Sequence, residues 1–305
     1  MIYTCTLNPA IDYKITIDQL VIGELNRFKD GQFLVGGKGI NVSIALKKLG
    51  LPTTVTGFIG GVTGKQIKQE VKHKLQLKSE FIEVDALTRV NVKVLIDDKE
   101  TEINHDGYEI ELKAVSALLN KIKQLKTSDL LVCGGSTAKG HPKLYAEIAK
   151  VCRDKKIEFV MDTTGDYLEQ VLKYQPLLVK PNLYELESFF KKSIQSDEDI
   201  IHYGKKLIES GAKHVIVSLG KSGSYLITKD KVYRANPITG VVKNTVGAGD
   251  SMVAGFIYGY KKHLDLNESY KYAVAAATAT TFGSEIMDLE AFNTYYNQVH
   301  IEEIV

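Results

Sequence analysis

LVGGKGINVSIALKKLG, residues 34–50, passes from an apolar entry through glycines and a lysine into a helical rhythm. Ile40, Ile44, Ala45 and Leu49 fall on one face of that helix, and Gly50 stands at its C-terminal stop. Upstream lies the β-type run IYTCTL; downstream come TTVTGFI, DLLVCGG, IEFVMDT, PLLVKPN and HVIVSLG. Several are apolar almost throughout, as parallel strands covered on both faces must be. Helical patterns such as KLYAEIAKVCRDK separate them, and the chain turns helical from Asp250 through YKYAVAAATATTFG to DLEAFNTYYNQV. This alternation predicts an α/β layered domain with a mainly parallel sheet.

Two segments break the rhythm. DYKITIDQLVIGELNRFKDGQFLVGG and RVNVKVLIDDKETEINHDG alternate apolar and polar residues with period two, and DDKE reads as a hairpin turn. Strands with one wet face fit poorly into a buried parallel sheet. They form either a small accessory sheet projecting from the main domain or a pair of surface hairpins. With no internal repeat or linker in the chain, they belong to one folded unit.

The chain has 305 residues, 44% hydrophobic and 25% charged, and a formal charge of +2. That balance gives no bulk attraction for nucleic acid, so an anionic ligand needs locally placed Lys and Arg. Cys5, Cys133 and Cys152 are widely spaced, form no CxxC pair and sit in or near apolar runs. They read as buried free thiols in a reducing cytoplasm. No stretch approaches the roughly 18 apolar residues of a membrane span, and the N-terminus lacks the basic start and apolar core of a leader. The expectation is a soluble, cytoplasmic protein.

The glycine-rich stretches fail the common nucleotide motifs. Counting back from Gly64-Lys65 puts Ile59 where a P-loop needs Gly, and Gln66 follows where it needs Ser or Thr. The third glycine of a dinucleotide fingerprint would be Val42 from Gly37, or Met252 from Gly247. What GGKGIN offers is closely approachable backbone at Gly37, a cation at Lys38 and an amide at Asn41 near a helix N-terminus. A plain strand-to-helix turn accounts for it equally well. In NTVGAGDSMVAGF, residues 244–256, the N–H groups of Val246, Gly247, Ala248 and Gly249 suit an anion-binding nest. Asp250 in the first turn would favour the helix merely by its charge. The small residues before it point further, to an acid that takes a hydroxyl proton beside a place where negative charge is held.

GGKGINVSIALKKLG and NTVGAGDSMVAG resemble the two signature regions of the PfkB, or ribokinase-like, sugar kinases, in the order that family uses. The similarity runs from TLNPAIDY to the C-terminal helices. It implies a three-layer αβα ribokinase-like fold spanning residues 1–305, with a β-sheet lid built from segments near 12–35 and 88–107. It makes Asp250 the base, and Gly247, Ala248 and Gly249 the anion hole. KPNLYEL resembles the family's NxxE segment, implying Lys180 and Asn182 near ATP, and Asn182 and Glu185 organising Mg²⁺ through water. From the residues alone, Asn182 and Glu185 are equally a helix cap and an exposed helical acid. VSLGKSG resembles the nucleotide loop, which places Ser218, Gly220 and Gly223 near ATP; the same residues read as a hairpin turn.

TLNPAID, Arg27 in ELNRF and Arg89 in TRVNVKV resemble the branch acting on sugar phosphates. Arginine offers planar paired donors for a phosphate dianion. Arg27, Lys38 and Arg89 would gather round the substrate phosphate, with Asp12 on sugar hydroxyls and Asn104 at the lid. The family's SGSLPxG segment stands here as GGSTAKG, residues 134–140; Ser136 is kept, while Thr137-Ala138 in place of Leu-Pro should loosen the loop. The implied reaction is ATP-dependent conversion of fructose 1-phosphate to fructose 1,6-bisphosphate. Phosphorylation of tagatose 6-phosphate is the alternative. A non-catalytic sugar-phosphate sensor is a rival from another class, and a homodimer through the lid is a further expectation.

Overall fold

The computed structural model describes residues 1–97 and 99–304. The chain opens with β1 (Ile2–Thr6), β2 (Ala10–Thr16), β3 (Gly31–Gly36) and α1 (Lys38–Lys48). Next come β4 (Thr53–Gly60), α2 (Gly61–His73), β5 (Lys78–Ser79), β6 (Ile82–Val84), β7 (Arg89–Ile96) and β8 (Lys99–Ile103). Helices and strands then alternate through α3 (Leu112–Lys123), β9 (Leu130–Gly134), α4 (Leu144–Asp154), β10 (Glu158–Asp162) and α5 (Gly165–Leu172). They continue through β11 (Leu178–Val179), α6 (Leu183–Phe190), α7 (Asp197–Glu209) and β12 (Val215–Ser218). The chain ends with β13 (Ser224–Ile227), β14 (Val232–Ala235), α8 (Ala248–Lys261), α9 (Leu266–Phe282), α10 (Leu289–Tyr296) and β15 (Ile301–Glu303).

The main sheet runs β15-β14-β13-β12-β11-β10-β9-β1-β4-β5, with β6 also on β4. From β12 to β5 every pairing is parallel, while β13, β14 and β15 add an antiparallel edge. Strand alternation explains the unbroken apolar runs. On β9, Leu131 and Cys133 enter one core with α3, α4, α5, α6 and α7, while Leu130 and Val132 enter the other with α1, α8, α9 and α10. Both faces are dry, so all five residues of β9 and all eight of β4 are buried. The three-layer αβα architecture follows from that pattern. On α8, Gly255 and Gly259 let α9 come close: a Cβ would stand 2.3 Å from Tyr272 O and 2.5 Å from Ser269 Cα respectively.

A separate four-stranded sheet has the order β3-β2-β7-β8, so the period-two segments do form an accessory sheet. β2 runs antiparallel to β3 and parallel to β7, and β7 and β8 form the expected hairpin with Ile96 opposite Lys99. Within DDKE, Asp98 lies outside the described residues. The alternation does not persist between β2 and β3. Residues 17–30 form no strand, because the Asn26 side chain bonds Val21 N, Val21 O and Glu24 O and ties the segment into a compact turn. Leu20, Val21, Ile22, Leu25 and Phe28 are exposed there.

All three cysteines are free and buried. Donation of its S–H to Cys5 and burial raise the Cys133 thiol, and burial pushes Cys152 up to about 12. Both stay protonated and unreactive. Among the described residues no helix is long and apolar enough to cross a membrane.

Candidate active site

The first turn of α8 is built for close approach. Gly247, its N-cap, has a φ of 80°, in the left-handed region where glycine carries no steric penalty, and provides no capping side chain. The first-turn N–H groups therefore face the cleft without a side-chain acceptor. One member of the expected nest is already committed: the Val246 N–H donates to Asn244 Oδ1 at 3.1 Å. The N–H groups left for the expected nest are those of Gly247, Ala248 and Gly249.

Asp250 is buried one residue further on, and Asn41 Nδ2 donates to its Oδ2 at 2.7 Å. Burial, then repulsion from Asp162, pushes its pKa up to about 6, against the pull of Lys38, Asn41 and Lys180. Asp162 closes β10 and is 4% exposed. Its Oδ2 lies 3.1 Å from Lys38 Nζ, and its Oδ1 lies 3.7 Å from Lys180 Nζ. Burial works to raise the Asp162 pKa, but Lys180 and Lys38 outweigh it and hold the carboxyl below its usual range. Burial likewise works against the charge on Lys38; Asp162 and Asp250 overcome it and raise the ammonium pKa. Asp162 escaped the sequence reading, although a carboxylate ending the apolar run IEFVMDT marked it.

Two cavities border this cluster, one lined by Lys38 and Asn41 and the other by Ala248 and Gly249. The first, of about 310 Å³, lies between the two sheets and is lined by Asp12, Gly37, Lys38, Asn41, Arg89, Asn104 and Ser136. Asn8, Asn91, Lys93 and Glu102 also line it and were not anticipated. Asn91 Nδ2 donates to Asp12 Oδ1 at 2.8 Å, and Lys93 Nζ donates to Glu102 Oε1 at 2.9 Å, giving a row of polar groups overhead. Arg89, Asn91 and Lys93 share a face of β7 because strand residues alternate. Arg89 is anchored by Asn8 O at 3.2 Å and His105 O at 2.7 Å. Burial lowers its pKa, with Asp12 and Asp106 opposing. Arg27 is exposed in the 17–30 loop and does not line this cavity.

The second cavity, of about 580 Å³, is lined by Asn182, Ser218, Gly220, Gly223, Ala248 and Gly249, with Ile238, Met252, Val274, Ala277 and Phe282 as an apolar wall. Ser218 to Gly223 do form the hairpin turn between β12 and β13, with Ser218 opposite Ser224, so the turn reading and the cavity position coincide. Lys180 is buried beside Gly249, where an added Cβ would stand 3.0 Å from its Nζ.

Asn182 and Glu185 form a reciprocal capping box on α6, with Glu185 N–H on Asn182 Oδ1 and Asn182 N–H on Glu185 Oε2, both at 2.8 Å. The cap uses one Glu185 oxygen. Among the described residues no cluster of three acidic, His or Cys side chains could hold a metal unaided. A lone carboxylate of this kind fits Mg²⁺, which keeps its waters and leans on substrate phosphates.

The GGSTAKG loop has contacts of its own in place of the Leu-Pro pair. Thr137 Oγ1 donates to His141 O at 3.0 Å, Ala138 is buried, and the Tyr145 hydroxyl lies 3.0 Å from Gly134 O. These contacts hold the loop without Leu-Pro, and Ser136 Oγ accepts from Asn8 Nδ2 at 3.2 Å at the cavity edge.

Comparison with known proteins gives a consistent picture. The model of the pfkB family carbohydrate kinases matches residues 6–288. A protein of Bacillus subtilis named 1-phosphofructokinase is 41% identical over 94% of each chain. A protein of Bacillus licheniformis named D-tagatose-1-phosphate kinase is 34% identical over 100% of each. The crystal structure of Escherichia coli phosphofructokinase-2 in complex with substrates and products superposes with a TM-score of 0.90 at 26% identity, covering 97% of this chain and 98% of that one.

Proposed function

This chain belongs to the pfkB family of carbohydrate kinases, and on that premise we propose that it phosphorylates fructose 1-phosphate with ATP to give fructose 1,6-bisphosphate. The observation that carries the reading is the position of Asp250: a buried carboxylate bonded to Asn41, which lines the polar cavity, and next in the chain to Gly249, which lines the partly apolar one. The polar cavity suits a sugar phosphate, with Arg89, Lys38 and Ser136 available to the phosphate and Asp12 to hydroxyls. The other suits adenosine along its apolar wall and the triphosphate along Ser218, Gly220 and Gly223.

Asp250 accepts the proton of the attacking hydroxyl, and its pKa of about 6 leaves it ionised yet basic enough near neutral pH. The N–H groups of Gly247, Ala248 and Gly249 stabilise charge on the phosphoryl group as it crosses, a role typically worth about 10²–10³-fold in rate per donor. Asn41 orients the base through its amide. Mg²⁺ would neutralise phosphate charge, with Glu185 and Asn182 holding its waters. Movement of the accessory sheet over the sugar would exclude water before transfer.

Two further readings rest on the same structure. Exposed Ile22, Leu25, Phe28, Phe33 and Ile103 on or beside the accessory sheet support pairing of two copies through it, a dimer that sedimentation would reveal. Three buried thiols fit a cytoplasmic location.

The tagatose reading also has support, in altered form: the relative's name places the phosphate at C1, not C6. Fructose 1-phosphate and tagatose 1-phosphate differ only at C4, so the same cations serve both. A coupled ADP-release assay comparing kcat/KM on fructose 1-phosphate, tagatose 1-phosphate and tagatose 6-phosphate tests the assignment. Higher efficiency on either tagatose phosphate would replace the first choice.

A further inference from the structure

We propose that Asp162 is a positioning residue for phosphoryl transfer: it holds Lys38 and Lys180 on either side of the transfer path and keeps both ammonium groups from pairing with Asp250. This inference rests on the kinase reading above.

Lys38 starts α1, reaches along the sugar-side cavity and packs its stem against Gly134. Lys180 follows β11 and approaches from the nucleotide side, its Nζ lying where a side chain at Gly249 would intrude. Each is bonded or paired to a different oxygen of Asp162, at 3.1 and 3.7 Å. Asp162 is too buried to reach a substrate, so its influence must pass through the lysines. No other ion pair involving either lysine is seen among the described residues.

Consider the cluster without that charge. Two cations, one of them 7% exposed, would be left facing Asp250, with Glu185 a further anion acting on Lys38. An ammonium drawn onto Asp250 would stabilise the carboxylate and weaken it as a base, and it would occupy the space the hydroxyl needs. The charged groups facing Asp250 are Lys38 from α1, Asp162 from β10 and Lys180 after β11. α9, packed against α8, brings Ala276 and Ala279 into the shared core and Thr280 onto Ser251, the neighbour of Asp250. Asp162 is thus the group that decides where both cations point.

The test uses the full chain with ATP, Mg²⁺ and fructose 1-phosphate. If the parent enzyme releases no ADP with any sugar phosphate, the kinase reading fails before a variant is made. Given an active parent, Asp162→Asn should lower kcat about 100-fold while changing the KM for ATP by less than about 3-fold. Its acidic limb in kcat/KM should also move to lower pH, because Asp250 loses a like-charged neighbour and gains two cations. In the Lys38→Gln/Asp162→Asn double variant the losses should not add, since one residue acts through the other. A parental kcat, an unmoved acidic limb, or additive losses would each overturn the proposal. Should Asp162→Asn fail to fold, Asp162→Glu keeps the charge but displaces it. That variant should lose kcat with its limb unmoved, and a parental rate would refute the role.

Discussion

Asn41 Nδ2 and Asp250 Oδ2 stand 2.7 Å apart although 209 residues separate them in the chain. The bond ties the first turns of α1 and α8 together, so the two glycine-rich signatures meet as one site. An amide fixed on the carboxylate leaves the other oxygen, Oδ1, to take a proton. Replacing Asn41 with Ala should lower kcat by about 10-fold or more, with ATP binding unchanged, as an orienting contact is lost from the base. Isothermal titration with a non-hydrolysable ATP analogue alongside steady-state kinetics separates the two quantities.

Asp250→Asn removes the proposed base and keeps the shape. Turnover should fall by about 10²–10⁴-fold, the range of general-base assistance. ATP affinity should hold within a small factor, because the first-turn N–H groups remain. A variant retaining a large fraction of parental turnover would exclude the base role and favour a sensor.

The same substitution should raise stability at neutral pH. In the fold the Asp250 pKa is raised from 3.8 to about 6, chiefly by burial. Between those values the native state holds a proton that the unfolded chain has released. Stability therefore declines as pH rises from about 4 to 6, and above 6 the charged carboxylate costs on the order of 3 kcal/mol. Asp250→Asn should melt higher than the parent at pH 7 and lose that advantage near pH 4. The parent's kcat/KM should conversely fall as pH drops through about 6, where the base becomes protonated. Melting curves and pH–rate profiles on the same two proteins check both signs.

The β-strands that make the main sheet were legible because both faces are apolar; the accessory sheet was legible because only one face is. The Asp250 turn could be read since glycine next to an acid is unusual chemistry for a plain helix start. Other parts depended on contacts that no local pattern encodes. Asp162 gains its meaning from Lys38 and Lys180, which lie 124 residues before it and 18 after it in number, and only the sheet brings them together. Lys93 and Glu102 read as ordinary hairpin charges until their shared face is seen above the cavity. The 17–30 loop kept its β-like alternation in sequence, yet Asn26 side-chain bonds overrode it.

Arg89 should separate sugar binding from nucleotide binding. Its guanidinium spans Asn8 O and His105 O and lines only the polar cavity among the two. Arg89→Lys keeps the charge but loses the planar fork. Its KM for fructose 1-phosphate should rise about 10-fold or more, equivalent to roughly 1.4 kcal/mol or more, while KM for ATP stays near parental. Equal changes in both constants would mean that the residue only supports the fold.

Two glycines on α8 separate catalysis from packing. At Gly249 an added methyl would meet the end of a flexible side chain, with Lys180 Nζ at 3.0 Å and Cε at 3.3 Å. The buried ammonium need give by only a few tenths of an ångström, so Gly249→Ala should leave the melting temperature almost unchanged. Displacing that cation from the transfer path should nonetheless cost about 10-fold or more in kcat. At Gly255 the methyl would meet backbone, Tyr272 O at 2.3 Å, and backbone cannot give way without moving α9. Overpacking of this kind typically costs about 1–3 kcal/mol, so Gly255→Ala should melt earlier. Its activity per folded molecule should stay close to parental, because Asp250 lies more than one turn away on the same helix. Thermal melts and active-site-normalised rates on the pair decide the matter: a Gly249→Ala protein as active as the parent would remove Lys180 from the transfer step.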